Sequence, residues 1–362
     1  MGRFVEKKVR NSNVEFLRVI SAMGVIVLHF NDSRAFLNVD AMSLNQFFLF
    51  LLESVFICAV DLFVIISGFF LCNSNKRSLN KIIELIFQII IIQVFAFVIE
   101  CLYFDEVFSL RRVIIAFTPA NYFVILYSVT FLISPYINRL LFSLNKKELN
   151  IFMLICIFLF SLYPTFLDLI KEFLRIPSAG LSPITGFGNF QGFNIVNFIL
   201  SYCIGAFISI KRNDFLKISK IKLLLLYIII IISIFIWAIL NNFGKRDGLR
   251  SAWCYHNPLV LLLGALYLII FMKLNFQSCI VNYLSKCSFL CFLTHPYILK
   301  LIDFKQIREA NLLEISFLII ISVLLSYMFS VFVYLIYSIS FKKLFYKMKK
   351  INLYYFYSEE RE

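Results

Sequence analysis

Apolar residues run along this chain in long blocks, separated by short polar stretches rich in Lys, Arg, Asn and Ser. Many of the blocks approach the ~20 residues that an α-helix needs to cross hydrocarbon. The pattern predicts ten helical spans, near residues 14–33, 47–72, 80–103, 113–142, 151–167, 195–210, 221–240, 257–272, 287–302 and 315–341. The sixth, eighth and ninth are short, so they are expected to be tilted, broken or shielded inside a bundle.

Composition removes the soluble alternative. Of 362 residues, 61% are hydrophobic and 15% charged, and the mean hydropathy is +0.87. A soluble protein of this size has no interior large enough for that much apolar surface. The 44 Phe and 18 Tyr suit lipid-facing helices and interfacial belts. The expected fold is all-α: a polytopic membrane helical bundle over residues 1–341, followed by a basic, aromatic tail over 342–362. The first span contains Arg18 and has no small-residue cleavage site at a suitable distance, so it is expected to be retained.

Charge then orients the bundle. With ten spans and both termini in the cytoplasm, the inner segments hold 23 of the 35 Lys and Arg and the outer ones 11, the remaining one being Arg18. That asymmetry follows the positive-inside rule, and it accounts for the net charge of +14 without any nucleic acid partner. The tail is expected to lie near anionic headgroups.

The candidate chemistry begins inside the first span. Arg18 and His29 are eleven residues apart, which on an α-helix places them on one face and roughly 16 Å apart along the axis. Ionisable groups within a membrane are costly and face a protein interior or a watery cavity, so the two read as stations on one internal path. His29 is suited to take a proton from an attacking hydroxyl, and Arg18 to hold a phosphate or carboxylate. Asp61 lies mid-span and needs a partner; Arg18 or His29 is the expected one, and a purely structural bond is the alternative. Ser67-Gly68 allows either close helix packing or the approach of a ligand to the backbone. Lys76, Arg77 and Lys81 form a basic inner loop, readable as topology, as an anion site, or as both.

Other residues carry less. Cys287, Cys291 and His295 share a helix face, but a metal there would need a further ligand or an open position with support, and none is expected. Pro296 marks a kink beside His295, whose expected role is packing, with a share in an acceptor pocket as the alternative. His256, next to Trp253 and Tyr255, is expected at the interface, where the aromatics offer a stacking surface for a sugar. The Gly/Pro-rich connection 168–194 is either plain chain or part of an acceptor site.

These residues resemble a known family. Arg18-x10-His29 resembles the signature of the acyltransferase 3 family of integral membrane O-acyltransferases. Asp61 to Leu71 is similar to its Phe-x-x-Ser-Gly-Phe segment, and Lys76, Arg77 and Lys81 to the basic motif that follows. Asn121 to Asn138 resembles its fourth-span pattern, although Tyr122-Phe123 stands where many members have Trp. Tyr202 to Phe207, Asn257 to Val260 and Phe292 to His295 resemble later spans of members encoded with bacterial polysaccharide genes. The resemblance implies transfer of an acetyl group from cytoplasmic acetyl-CoA to a sugar hydroxyl of O-antigen, capsule or another envelope glycan, in the inner membrane. It implies CoA held near Lys76, Arg77, Lys81, Ser67 and Gly68. His29 would be general base or transient acetyl carrier, Arg18 would lie on the path, and Asp61 would orient His29 or offset Arg18. The implied partners are acetyl-CoA, a glycan or lipid-linked oligosaccharide, and membrane lipid. A polysaccharide transporter or lipid-linked sugar flippase would use the same internal charges, but no inverted repeat or paired broken helices accompany them.

Overall fold

The computed structural model describes residues 12–31, 35–74, 76–103, 109–174, 176, 182–185, 188–243, 251–341 and 352–354. Helices dominate: α1 (Ser12–Phe30), α2 (Phe36–Asn38), α3 (Leu44–Phe56), α4 (Ala59–Leu71), α5 (Leu79–Tyr103), α6 (Leu110–Phe117), α7 (Tyr122–Ser143), α8 (Lys146–Ile157) and α9 (Tyr163–Leu174). They continue with α10 (Ile195–Ile210), α11 (Arg212–Lys217), α12 (Lys220–Phe243), α13 (Pro258–Met272), α14 (Cys279–Leu299) and α15 (Leu312–Ser340). A two-stranded antiparallel ribbon pairs β1 (Lys76–Ser78) with β2 (Asn352–Tyr354), Arg77 opposite Leu353. The rest of the expected tail and part of the 168–194 connection lie outside the described residues.

The polar stretches start the helices. Asn121, Asn145, Asn194, Asn257 and Asn311 are N-caps of α7, α8, α10, α13 and α15, each side chain accepting from a backbone N–H of the first turn. Glu148 and Glu314 close reciprocal capping boxes with Asn145 and Asn311. Pro258 occupies the first turn of α13, where its missing N–H costs nothing.

Eight helical stretches among the described residues are long and apolar enough to cross a membrane. The expected second span, 47–72, is broken at Ile57-Cys58 into α3 and α4, and the fifth is interrupted by a π turn at Phe158–Leu162. The sixth is α10, whose 16 residues extend only about 24 Å. The ninth is part of α14, where Ser285, Lys286, Ser288, Thr294 and His295 dilute the apolar run.

α1, α4, α10, α13 and α14 form the interior, while α5, α12 and α15 carry large exposed apolar side chains such as Leu102, Ile221 and Leu313. α4 and α10 approach most closely. A Cβ on Gly68 would lie 2.1 Å from the Tyr202 carbonyl oxygen, and one on Gly205 1.9 Å from that of Ile65. Only glycine at both positions allows the backbones to touch in this way.

Candidate active site

α1 and α14 lie side by side and run in the same direction. Ser12 meets Gln277 and Asn282 at one end, Ser285 donates to Glu15 one turn on, and the rings of His29 and His295 lie 4.9 Å apart near the other end. The one-face spacing of Arg18 and His29 therefore follows the seam between two helices. Arg18 donates to both carboxylate oxygens of Glu15, at 3.2 and 3.1 Å, and its guanidinium lies 5.3 Å from the Phe70 ring centre. His29 is exposed, whereas His295 is buried. One ring nitrogen of His295, Nδ1, is 3.2 Å from the Cys291 carbonyl oxygen, and Nε2 has no hydrogen-bond partner among the described residues.

A cavity of about 470 Å³ opens along this seam, lined by Arg18, Ser67, Lys81, Lys286, Phe123 and Phe292 among others. Basic side chains (Arg18, Lys81, Lys286) and aromatic ones (Phe123, Phe292) both line it. Phe292 carries the line onward, its ring centre 6.1 Å from that of His295. Arg18, Ser67 and Lys81 thus share one cavity, and His29 is reached beyond it through Phe292 and His295.

The remaining expected residues sit elsewhere. Asp61 is buried, and its Oδ1 accepts from Asn197 at 2.9 Å and Ser201 at 3.1 Å, both on α10. Neither Arg18 nor His29 is its partner. Glu15, one turn from Arg18, offsets that charge, so Asp61 is not needed there. Gly68 is closed off by Tyr202, which makes it a packing position and not an opening for a ligand. Ser67 faces the cavity, its hydroxyl donating to the Phe63 carbonyl at 2.9 Å.

Arg77 also departs from the expectation. It is 1% exposed, and its guanidinium donates to the carbonyls of Leu71, Ser74 and Lys76 and to the Ser134 hydroxyl. Asn138 donates to the Leu71 and Ser74 carbonyls as well, and it accepts from the Tyr202 hydroxyl at 2.8 Å. These bonds satisfy the last carbonyl of α4, at Leu71, and fix the loop that carries Lys76 and leads into α5. Lys76 is exposed on β1, and Lys81 pairs with Glu84 at 3.5 Å beside the cavity.

His256 is fully buried and not interfacial. Its Nε2 lies 2.9 Å from Asp168 Oδ2, while Asn189 donates to Asp168 Oδ1. Ser161, turned inward by the π turn, donates to the His256 carbonyl at 2.6 Å. Asp168, Cys254 and His256 hold donor atoms within 4.8 Å of one another, a spacing a metal ion would accept. The hydrogen bonds already join Asp168 to His256 and Asn189, so the arrangement works as a clasp between α9 and the start of α13.

The acyltransferase domain model of the acyltransferase 3 family matches residues 11–331, from the start of α1 into α15. The chain belongs to the acyltransferase 3 family. It is therefore a multi-pass membrane acyltransferase. No curated protein and no solved structure matches it. Within this acyltransferase 3 domain, Glu15 and the contact of His295 with His29 are the features that sequence reasoning missed. The three-residue spacing of Glu15 and Arg18 was a usable signal for the first. Nothing local signals the second, because 266 positions separate the two histidines.

Proposed function

We propose that this acyltransferase moves an acetyl group from cytoplasmic acetyl-CoA to a sugar hydroxyl of a bacterial surface polysaccharide, O-antigen or capsule, in the inner membrane. The observation that carries the reading is the cavity along α1 and α14, whose lining combines the basic Arg18, Lys81 and Lys286 with the aromatic Phe123 and Phe292, the latter against His295. The anionic CoA head suits the end with Lys76, Lys81 and Lys286, with the acyl arm directed past Arg18. Arg77 positions the loop and makes no direct contact with the donor in this reading. In this reading an acceptor arriving from outside reaches His29, which is exposed beside His295.

In the reaction the acceptor oxygen bonds to the thioester carbonyl carbon, the carbon–sulfur bond breaks, and the thiolate of CoA leaves. His29 takes the hydroxyl proton, which ends on the leaving sulfur. Alternatively, His29 first carries the acetyl group and passes it on in a second step. Membership in an acyltransferase family favours transfer over the transport of a finished glycan.

The test compares envelope polysaccharide from cells carrying the intact gene, the His29→Ala variant, or no gene. Proton NMR is expected to show O-acetyl signals with the intact gene alone, with the variant present in the membrane by blot. Equal acetylation in all three, with less surface polysaccharide when the gene is missing, would overturn the reading in favour of transport.

A further inference from the structure

The cavity does not reach the histidine pair. It stops at Phe123 and Phe292, both in its lining and both buried, with ring centres 5.0 Å apart and planes tilted by 54°. Phe292 stands against His295, and His295 against His29. An acyl group brought along the cavity from the basic end meets these two rings before it meets either imidazole.

The rings are braced by neighbours, of which Phe63 and Phe289 also line the cavity. Phe63 and Phe198 pack on Phe123 at 6.2 and 5.6 Å, and Phe289 packs on Phe292 at 6.5 Å. Side chains packed on several sides occupy fixed rotamers, and added methylenes in such a place force costly shifts. A two-carbon acyl group needs little room to pass beside Phe292, and each further carbon must displace a ring already in contact with Phe123 and Phe289. The rest of the lining mixes Lys81, Glu84 and Gln88 with Leu85, Tyr127 and Tyr334, but Phe292 is the lining ring that stands against His295.

We infer that Phe123 and Phe292 form the acyl-length selector of the donor, admitting acetyl to the histidine pair and excluding longer acyl groups. The inference rests on the proposed acyl-CoA donor, and its test separates the two. Membrane vesicles from cells bearing the gene supply their own glycan acceptor. They would be given radiolabelled acetyl-, propionyl- or butyryl-CoA, and label in the polysaccharide fraction would be counted.

Discrimination in an apolar pocket runs to about 10–200-fold per methylene. The native enzyme is therefore expected to prefer acetyl to butyryl by roughly 100-fold or more. Phe292→Ala and the milder Phe292→Leu and Phe123→Leu are expected to lower that ratio at least about tenfold, with acetyl transfer still measurable in the Leu variants. An unchanged ratio in variants that still transfer acetyl would overturn the selector and leave the donor reading intact. Gene-dependent label from none of the three thioesters would overturn the donor reading itself, and the selector with it.

Discussion

His295 is held firmly beside His29. Its ring is buried, its Nδ1 faces the Cys291 carbonyl, and it contacts the His29 ring at 4.9 Å with the planes tilted by 37°. In the proposed reaction His295 would therefore act through His29, as a positioning residue. Loss of a general base costs about 10²–10⁴-fold, so His29→Ala is expected to fall in that range. His295→Gln is expected to lose up to about 10²-fold, as a misplaced reacting group does, and to shift the pH profile of the remaining activity. An unaltered profile with full activity would make the contact one of packing only. Asp61 offers a contrasting case. Its two donors, on Asn197 and Ser201, remain satisfied when Oδ1 becomes an amide oxygen. Asp61→Asn is expected to keep activity and membrane level, whereas Asp61→Ala strands both donors at a cost of about 1–3 kcal/mol each, visible as lower thermal stability in detergent. Activity lost in Asp61→Asn with stability intact would instead show that the negative charge is used. The face shared by Arg18 and His29 was legible in the sequence because helical periodicity is local. The partners of Asp61 were not, since they lie 136 and 140 positions away on a short helix.

At the level of elements, the segments that resemble family motifs converge at the end of α4. The Ser-Gly segment ends in Leu71, the fourth-span segment supplies Ser134 and Asn138 from α7, and the sixth-span segment supplies Tyr202 from α10. Read one at a time they were weak signals; together they close one hydrogen-bond network under the basic loop. The same network explains why Arg77, expected at an anion, is committed to carbonyls: a helix ending inside a bundle leaves acceptors that water cannot reach. Gly68 and Gly205 make the network possible by letting α4 and α10 meet. Gly68→Ala and Gly205→Ala each place a methyl group within about 2 Å of a backbone oxygen. Overpacking of this kind costs about 1–3 kcal/mol or more, so each variant is expected to yield less folded protein with a lower melting midpoint in size-exclusion thermal assays. Wild-type stability in either would mean that the two helices have room to separate. The break in the second expected span and the shortness of α10 share a cause: both helices lie inside the bundle, where packing, and not bilayer thickness, sets their ends.

Across the whole molecule, the two ends differ in charge. The end carrying Ser12 and Arg18 also carries Lys81 and Lys286 in the cavity lining, and Arg212, Lys220 and Lys273 around a separate cleft beside Asn13. Toward the opposite end, Arg112 and Lys300 both pair with Glu100, at 2.9 and 3.0 Å. By the positive-inside rule the basic end is expected on the cytoplasmic side, the side from which the proposed CoA donor would enter the cavity. Since α1 and α14 run in parallel, the connection between α14 and α15 must then face outward. Cysteine placed at exposed Lys76 and at exposed Glu309 tests both ends, in a Cys279→Ser background that removes the exposed natural thiol. A membrane-impermeant maleimide is expected to label the Glu309→Cys variant in intact cells and the Lys76→Cys variant only after permeabilisation. The reverse pattern would put the basic cavity outside, out of reach of cytoplasmic acyl-CoA. A donor drawn from the cytoplasm would then be untenable, whatever the histidine variants had shown.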